Sequence, residues 1–578
     1  MRKFKRLLIV LTASIFLTSC NLINGNSGDF DPTGNVVTDV DEDPTQFTDE
    51  DSEDVLAEEA DADILLNGSS GTISDTTCGT NGSTVTITKI GKYHVTGSSS
   101  NVAIKVEEAS ESGDIYLILD NVTMTNSLFA CLYVSKADKV IIQNIGTSSI
   151  VSTYTEGQID DSSTIDGAIH ARDDLTINGT GSLSVNSKLH GVVCKNDLKI
   201  LGSLELNVTS TKIGFQAGDS LRIGETPIIT INSGHDGIQV CNDELTSYFY
   251  MESGSLDITA EYDGIDVDSD VTSGTFTGYA KFVGGSVTAV AGGGSSYSKS
   301  SSYSKKGIVC RGNLQVGVAT LDINAADDGI HSNACISIAG GTVTAQSSDD
   351  GIHADSTLSI TAGKVEVTKS YEGLEAYIID ISSGEISVTA TDDGINCAGG
   401  SDTQSSDDYD PWGGTSSTGT LYIKGGDVYI NAQGDGLDSN GSIYVSGGTT
   451  IVEGPTNGGN GAIDIGDGSS YVAEITGGIV LAIGSTDMAV NFDTGTQCSG
   501  LVALSGGDGT TITVEDGSGF TFTATKTFAC AVYSSPYMSK GNTYVIKAGS
   551  RSATMNFSNS YYYSNISTSG GGPGGPGR

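Results

Sequence analysis

The sequence predicts an all-β protein, a right-handed parallel β-helix of about 22 residues per rung with β-rich caps at both ends. Three observations carry this expectation. A small residue precedes an apolar one, or nearly so, at Ala168, Gly191, Gly214, Gly237, Gly264, Gly307, Gly329, Gly351, Gly373, Gly394, Gly436, Ala462 and Ala489, mostly in steps of 21 to 27 residues. Within one unit, "GIHADSTLSITAGKVEVTKS" from Gly351, short alternating runs are separated by turn residues. No unit carries the 3.6-residue period of a helix. Such units stack about 4.8 Å apart, so equivalent residues of successive rungs form columns.

The columns can be read in order. One place after the small residue stand Ile169, Val192, Phe215, Ile238, Ile265, Ile308, Ile330, Ile352, Leu374 and Ile395, an inward apolar stack. Three places after it stand small residues, among them Cys194, Cys310 and Cys397. These read as reduced, buried small hydrophobes, too far apart to bridge one another. Two places after it, strand alternation points the side chains outward. That column holds Asp266, His331, His353, Glu375 and Asp438.

The position just before the glycine is acidic in a block: Asp236, Asp263, Asp328, Asp350, Glu372, Asp393 and Asp435, with Asp327, Asp349 and Asp392 one residue earlier. Like charges at a rung spacing repel by about 1 kcal/mol even in water-like surroundings. With few basic residues in these rungs, the expected counterion is Ca²⁺, which takes 6–8 oxygens in flexible geometry. Asp263 with Asp266, Glu372 with Glu375, and Asp435 with Asp438 could converge on an ion from turn and strand. The competing reading is a solvated acidic turn. His331 and His353, stacked in adjacent rungs, read as a surface ladder or a sugar-hydroxyl contact. Zinc suits them less well, since the donors around them are hard oxygens.

Two polar insertions interrupt the coil. "AGGGSSYSKSSSYSKKG" (residues 291–307) carries Tyr297 and Tyr303, and "GGSDTQSSDDYDPWGGTSSTG" (residues 399–419) carries Tyr409 and Trp412. Loops carry function on solenoids, and exposed aromatic faces stack on sugar rings. The plainer alternative is a Ser/Gly spacer.

The ends place the protein. "MRKFKR", "LLIVLTASIFL" and "LTSC" form the basic, apolar and cleavage regions of an export signal, too short to span a bilayer. The "LTSC" ending resembles a bacterial lipobox, which implies cleavage before Cys20 and lipid on its sulfur. The mature protein is then expected at the cell surface or in the envelope, anchored to the membrane. Residues 21–63 read as an acidic disordered tether, 64–129 as an N-terminal β cap, 130–499 as the β-helix, 500–560 as a C-terminal β cap and 561–578 as a Gly/Pro-rich tail. A net charge of −43 excludes nucleic acid as a partner, since phosphates need Lys and Arg. Nothing in the sequence points to a protein partner.

The run "DGAIHARDDLTINGTGSLSVNSKLHGVVCKNDLKI", followed by repeated "DDGI" and "GGTVTA" phrases, resembles a family of exported bacterial carbohydrate-binding β-helix proteins, similar in fold to pectate lyases. The resemblance runs from about Ile64 to Ala548. It implies calcium, binding of plant cell-wall polysaccharides such as polygalacturonate and cellulose, and no requirement for catalysis. The chain departs from the pattern where His190 precedes Gly191 and Ile213 precedes Gly214, so metal sites are expected only in the later rungs. Three functions compete: a glycan-binding module, a pectate-lyase-like enzyme and a plain adhesin. A lyase needs a base beside calcium, and Arg311, one rung before the acidic block, is the best candidate.

Overall fold

The computed structural model describes residues 46–108, 113–160, 163–300, 302–398, 418–466 and 469–564. They form a right-handed parallel β-helix in which each strand pairs with its equivalent one rung on. One rung comprises Ile238–Asn242, Tyr248–Met251 and Ser255–Ala260; the next comprises Ile265–Ser269, Tyr279–Phe282 and Ser286–Ala291. All three pairs between these rungs are parallel and in register.

The apolar column is one continuous ladder. Ile169 pairs with Val192, Val192 with Phe215, and the register runs on through Ile238, Ile265, Ile308, Ile330, Ile352, Leu374 and Ile395 to Leu437. Every member is buried in the coil interior. Cys194, Cys310 and Cys397 are free thiols in the interior, where a narrow coil accepts small side chains.

The glycine column has a steric cause. A Cβ on Gly264, Gly307, Gly329 or Gly351 would lie 2.3 to 2.6 Å from the carbonyl oxygen of the next glycine in the column. No side chain fits there.

Two segments differ from expectation. Parallel pairing already joins Ala62–Gly68 to Gly91–Ser100 and that strand to Asp114–Asn126, so the coil starts well before residue 130. Nor is the whole of residues 21–63 a free tether. From Gln46 the chain lies as a strap on the flank of the coil, with Val55 packed on Tyr116, Ile118 and Ile141. Asp51 is fully buried, paired with Lys139 at 3.0 Å and Lys199 at 3.1 Å, and accepts from Thr176. An acid-rich segment can pack here because the coil supplies the cations. At the far end the pairing turns antiparallel. Phe528–Ser534 lies between Ala473–Gly484 and Ser499–Gly506, and a four-stranded sheet adds its own core around Ile512, Tyr533 and Phe557.

Candidate functional site

The acidic column follows from how one rung hands its backbone to the next. Asp236 Oδ1 accepts the amide N–H of Asp263 at 3.1 Å, and Asp263 Oδ1 accepts that of Lys306 at 2.6 Å. Asp328 Oδ1 accepts from Asp350 at 3.1 Å, Asp393 Oδ1 from Asp435 at 2.6 Å, and Asp435 from Gly461. These turn amides are covered, and a buried N–H without an acceptor is costly. A carboxylate before the glycine satisfies it. The recurring Asp therefore has a structural cause independent of any ion, one that sequence reasoning missed.

The upstream half of the column brings its own cations. Lys306 occupies the column itself, immediately before Gly307, and its Nζ lies 3.3 Å from Asp327 and against Asp328. Lys299, from the same insertion, pairs with Asp349. His331 Nδ1 lies 2.9 Å from Asp328, and His353 Nδ1 lies 3.3 Å from Asp350 and 3.6 Å from Glu375. Burial pushes the Asp328 carboxyl up, but Lys306 and the His331 bond outweigh it and hold it well below the usual range. Burial likewise opposes charge on His353, yet its bond to Asp350 and the field of Glu375 raise it to about 10. Few as the basic residues in these rungs are, Lys306 and Lys299 stand against the acids, so the expectation that the upstream carboxylates need Ca²⁺ as their counterion is corrected.

The downstream half has no such partners. Asp393, Asp435 and Asp438 each offer an oxygen within 4.8 Å of the others, and all three are half-buried. Among the described residues no Lys, Arg or His pairs with any of them. Burial, then neighbouring acids, pushes Asp393 to about 6, Asp435 to about 8 and Asp438 to about 7. Between the two halves, Glu372 rises to about 8 and Glu375 to about 10, from burial first and then from Asp350. Asp392 meets the Tyr371 hydroxyl. Upstream of Lys306, Asp263 rises to about 7 from burial and then Asp236, and Asp266 rises well above its usual value from burial and then Asp263. The downstream trio is all hard oxygen, the donor set that suits calcium.

The remaining candidates sort differently. His331 and His353 are buried, 1% and 2% exposed, so neither is a surface ladder nor open to a sugar hydroxyl. They point out of the coil core as alternation requires, but the acidic turns and the side chains of neighbouring rungs cover them. Tyr297 and Tyr303 are exposed, and Tyr303 packs on Tyr262 with ring centroids 5.0 Å apart. The guanidinium of Arg311 donates to the Val271 carbonyl at 2.5 Å and lies over Phe276. It is committed to that loop and is not directed at the acidic column. Tyr409, Trp412 and Cys20 lie outside the described residues.

The molecule is thus a β-helical solenoid whose flank carries a ladder of carboxylates, half of it neutralised from within. A family model described as carbohydrate-binding domain-containing protein matches residues 81–351 and 348–517, and the chain belongs to that family. A protein of the same description from Acetivibrio thermocellus is 35% identical over 122 residues, a match that spans 20% of this chain and 42% of that protein. A solved structure described as a gadolinium derivative of the polysaccharide lyase-like protein from C. thermocellum aligns over 48% of this chain and 96% of its own. Its identity is 24% and its TM-score 0.34, too loose a superposition to carry residues across.

Proposed function

We propose that this chain is a non-catalytic, calcium-dependent polysaccharide-binding protein, held at the cell surface by lipid on Cys20. Its ligand is an acidic plant cell-wall glycan of the polygalacturonate type, with cellulose as the neutral alternative. The observation that carries this reading is the Asp393, Asp435 and Asp438 trio. Three crowded carboxylates have no basic partner among the described residues and stand on a coil of the carbohydrate-binding family. A calcium ion held by them would supply open coordination positions for the carboxylates of a uronate chain. The protein's part is to fix those oxygens on rigid rungs. Family membership supports the glycan, and the backbone engagement of Arg311 speaks against it as a lyase base.

Calorimetric titration of the full chain with polygalacturonate tests the proposal. Saturable binding that disappears in excess chelator and returns with calcium is expected. Heat that persists unchanged in chelator sinks the calcium step. Absence of binding to either polygalacturonate or cello-oligosaccharides leaves the adhesin reading in its place.

A further inference from the structure

His353 stands where a donor other than oxygen enters the ladder. Its Nδ1 lies 3.3 Å from Asp350 Oδ2 on its own rung and 3.6 Å from Glu375 Oε2 on the next. One ligand atom from each lies within 4.8 Å of the others. The neighbouring acid, Asp328, is already engaged by Lys306 and His331, which leaves Asp350 and Glu375 facing the ring. On the opposite side of the imidazole, His353 Nε2 lies 3.6 Å from Asp355 Oδ1, and so does His331 Nε2. That oxygen is buried and accepts no hydrogen bond in the structure.

A histidine that ligates a metal through one nitrogen commonly gives its other N–H to a carboxylate, which fixes the ring and its tautomer. Asp355 is positioned for that role. An imidazole among carboxylates also changes which ion fits. Hard oxygens alone suit calcium, whereas an imidazole with carboxylates suits zinc and its neighbours. Around a zinc-like ion, donors held at about 2.1 Å in a tetrahedron lie about 3.4 Å from one another. The two separations measured from His353 Nδ1 bracket that value.

We propose that His353, Asp350 and Glu375 form a buried site for a divalent transition ion of the zinc class, with Asp355 orienting the imidazole. The ion clamps two neighbouring rungs together. It is separate from the calcium site at Asp435 and does not depend on the glycan reading. On binding, the imidazole enters as its neutral form with the remaining N–H turned to Asp355, and any second ring proton leaves to solvent. The competing arrangement is a permanently protonated His353 held between two acids.

Metal-stripped full-length protein titrated with Co²⁺ separates the two. Expected is a saturable visible d–d absorption at one ion per chain that excess Ca²⁺ does not displace and Zn²⁺ does. His353→Gln should abolish it, and Asp355→Asn should weaken binding about tenfold to a hundredfold. Asp435→Asn should leave it unchanged. If His353→Gln fails to fold, Glu375→Gln, at a half-buried position, takes its place. No saturable band in the wild-type protein, a band that survives loss of His353 or Glu375, or ready displacement by Ca²⁺ would each overturn the proposal.

Discussion

The two halves of the acidic column share one turn geometry and one backbone-capping role, yet their electrostatics are opposite. Upstream, Asp327, Asp328 and Asp349 face Lys306, Lys299 and the His331 and His353 rings. Downstream, Asp393, Asp435 and Asp438 face one another. A column of carboxylates is therefore not one site. The capping bond explains why an acid recurs before the glycine at Asp236, Asp263, Asp328, Asp393 and Asp435, and the presence or absence of a built-in cation separates acids with an internal partner from those with room for an ion from solution.

The most disruptive way to break the comparison is to make the upstream half resemble the downstream half. Lys306 is buried between Asp327 and Asp328, so Lys306→Met leaves Asp327 without that cation and Asp328 with the His331 ring in place of two partners. Removing one partner of a buried pair costs about 3–5 kcal/mol. Chemical denaturation should show a loss of that size, and calcium should recover part of it in the variant while having no effect at that position in the wild type.

Asp51 in the strap obeys the upstream rule from a different part of the fold. Burial opposes its charge, but Thr176, the Thr48 amide, Lys199 and Lys139 lower it to about 2. A depressed folded-state value contributes stability that is present above the unfolded value and is lost as pH falls through the folded one. At about 1.4 kcal/mol per unit, Asp51→Asn should cost roughly 2–3 kcal/mol at pH 7. The gap to wild type should close between about pH 4 and pH 2. A gap that stays constant over that range would show that the carboxylate charge is not what pins the strap.

A smaller effect sharpens the downstream side. Asp393, Asp435 and Asp438 are raised, so their protonated forms favour the folded state. That contribution is fully present below the unfolded value near 4 and is lost as pH rises through about 6 to 8. In chelator, melting temperature should therefore climb as pH falls from 8.5 towards 5.5, and saturating calcium should flatten the slope. A slope of equal size with and without calcium would mean that the trio does not hold the ion.

Much of this was legible before any coordinates. The apolar ladder from Ile169 to Ile395 follows from period and alternation alone, because burial repeats with the rung. The buried cysteines follow from the same register. Lys306 was legible too, since it occupies the column position before Gly307, but the aligned acids drew the reading past it. The capping bond from Asp236, Asp263, Asp328, Asp393 and Asp435 to the next rung's amide was not legible. It depends on backbone geometry at a turn, which composition does not encode. Burial of His331 and His353 was also beyond reach, because alternation gives the direction of a side chain and not what covers it. The strap was misread for a related reason: its acidity suggests disorder, and the lysines that neutralise Asp51 lie about 90 and 150 residues away.

Thermal unfolding of two double variants, each in calcium and in chelator, tests the division of the ladder most directly. Asp435→Asn with Asp438→Asn removes two of the three downstream carboxylates while keeping the amide oxygen that can cap Gly461. Asp327→Asn with Asp349→Asn does the same to acids that Lys306 and Lys299 already neutralise. Calcium at a hundred times its dissociation constant stabilises a folded protein by about 2.7 kcal/mol, a shift readily seen in melting temperature. The wild type and the upstream variant should show that shift, and the downstream variant should lose it. A shift that survives in the downstream variant and vanishes in the upstream one, or is absent from the wild type, would contradict the account.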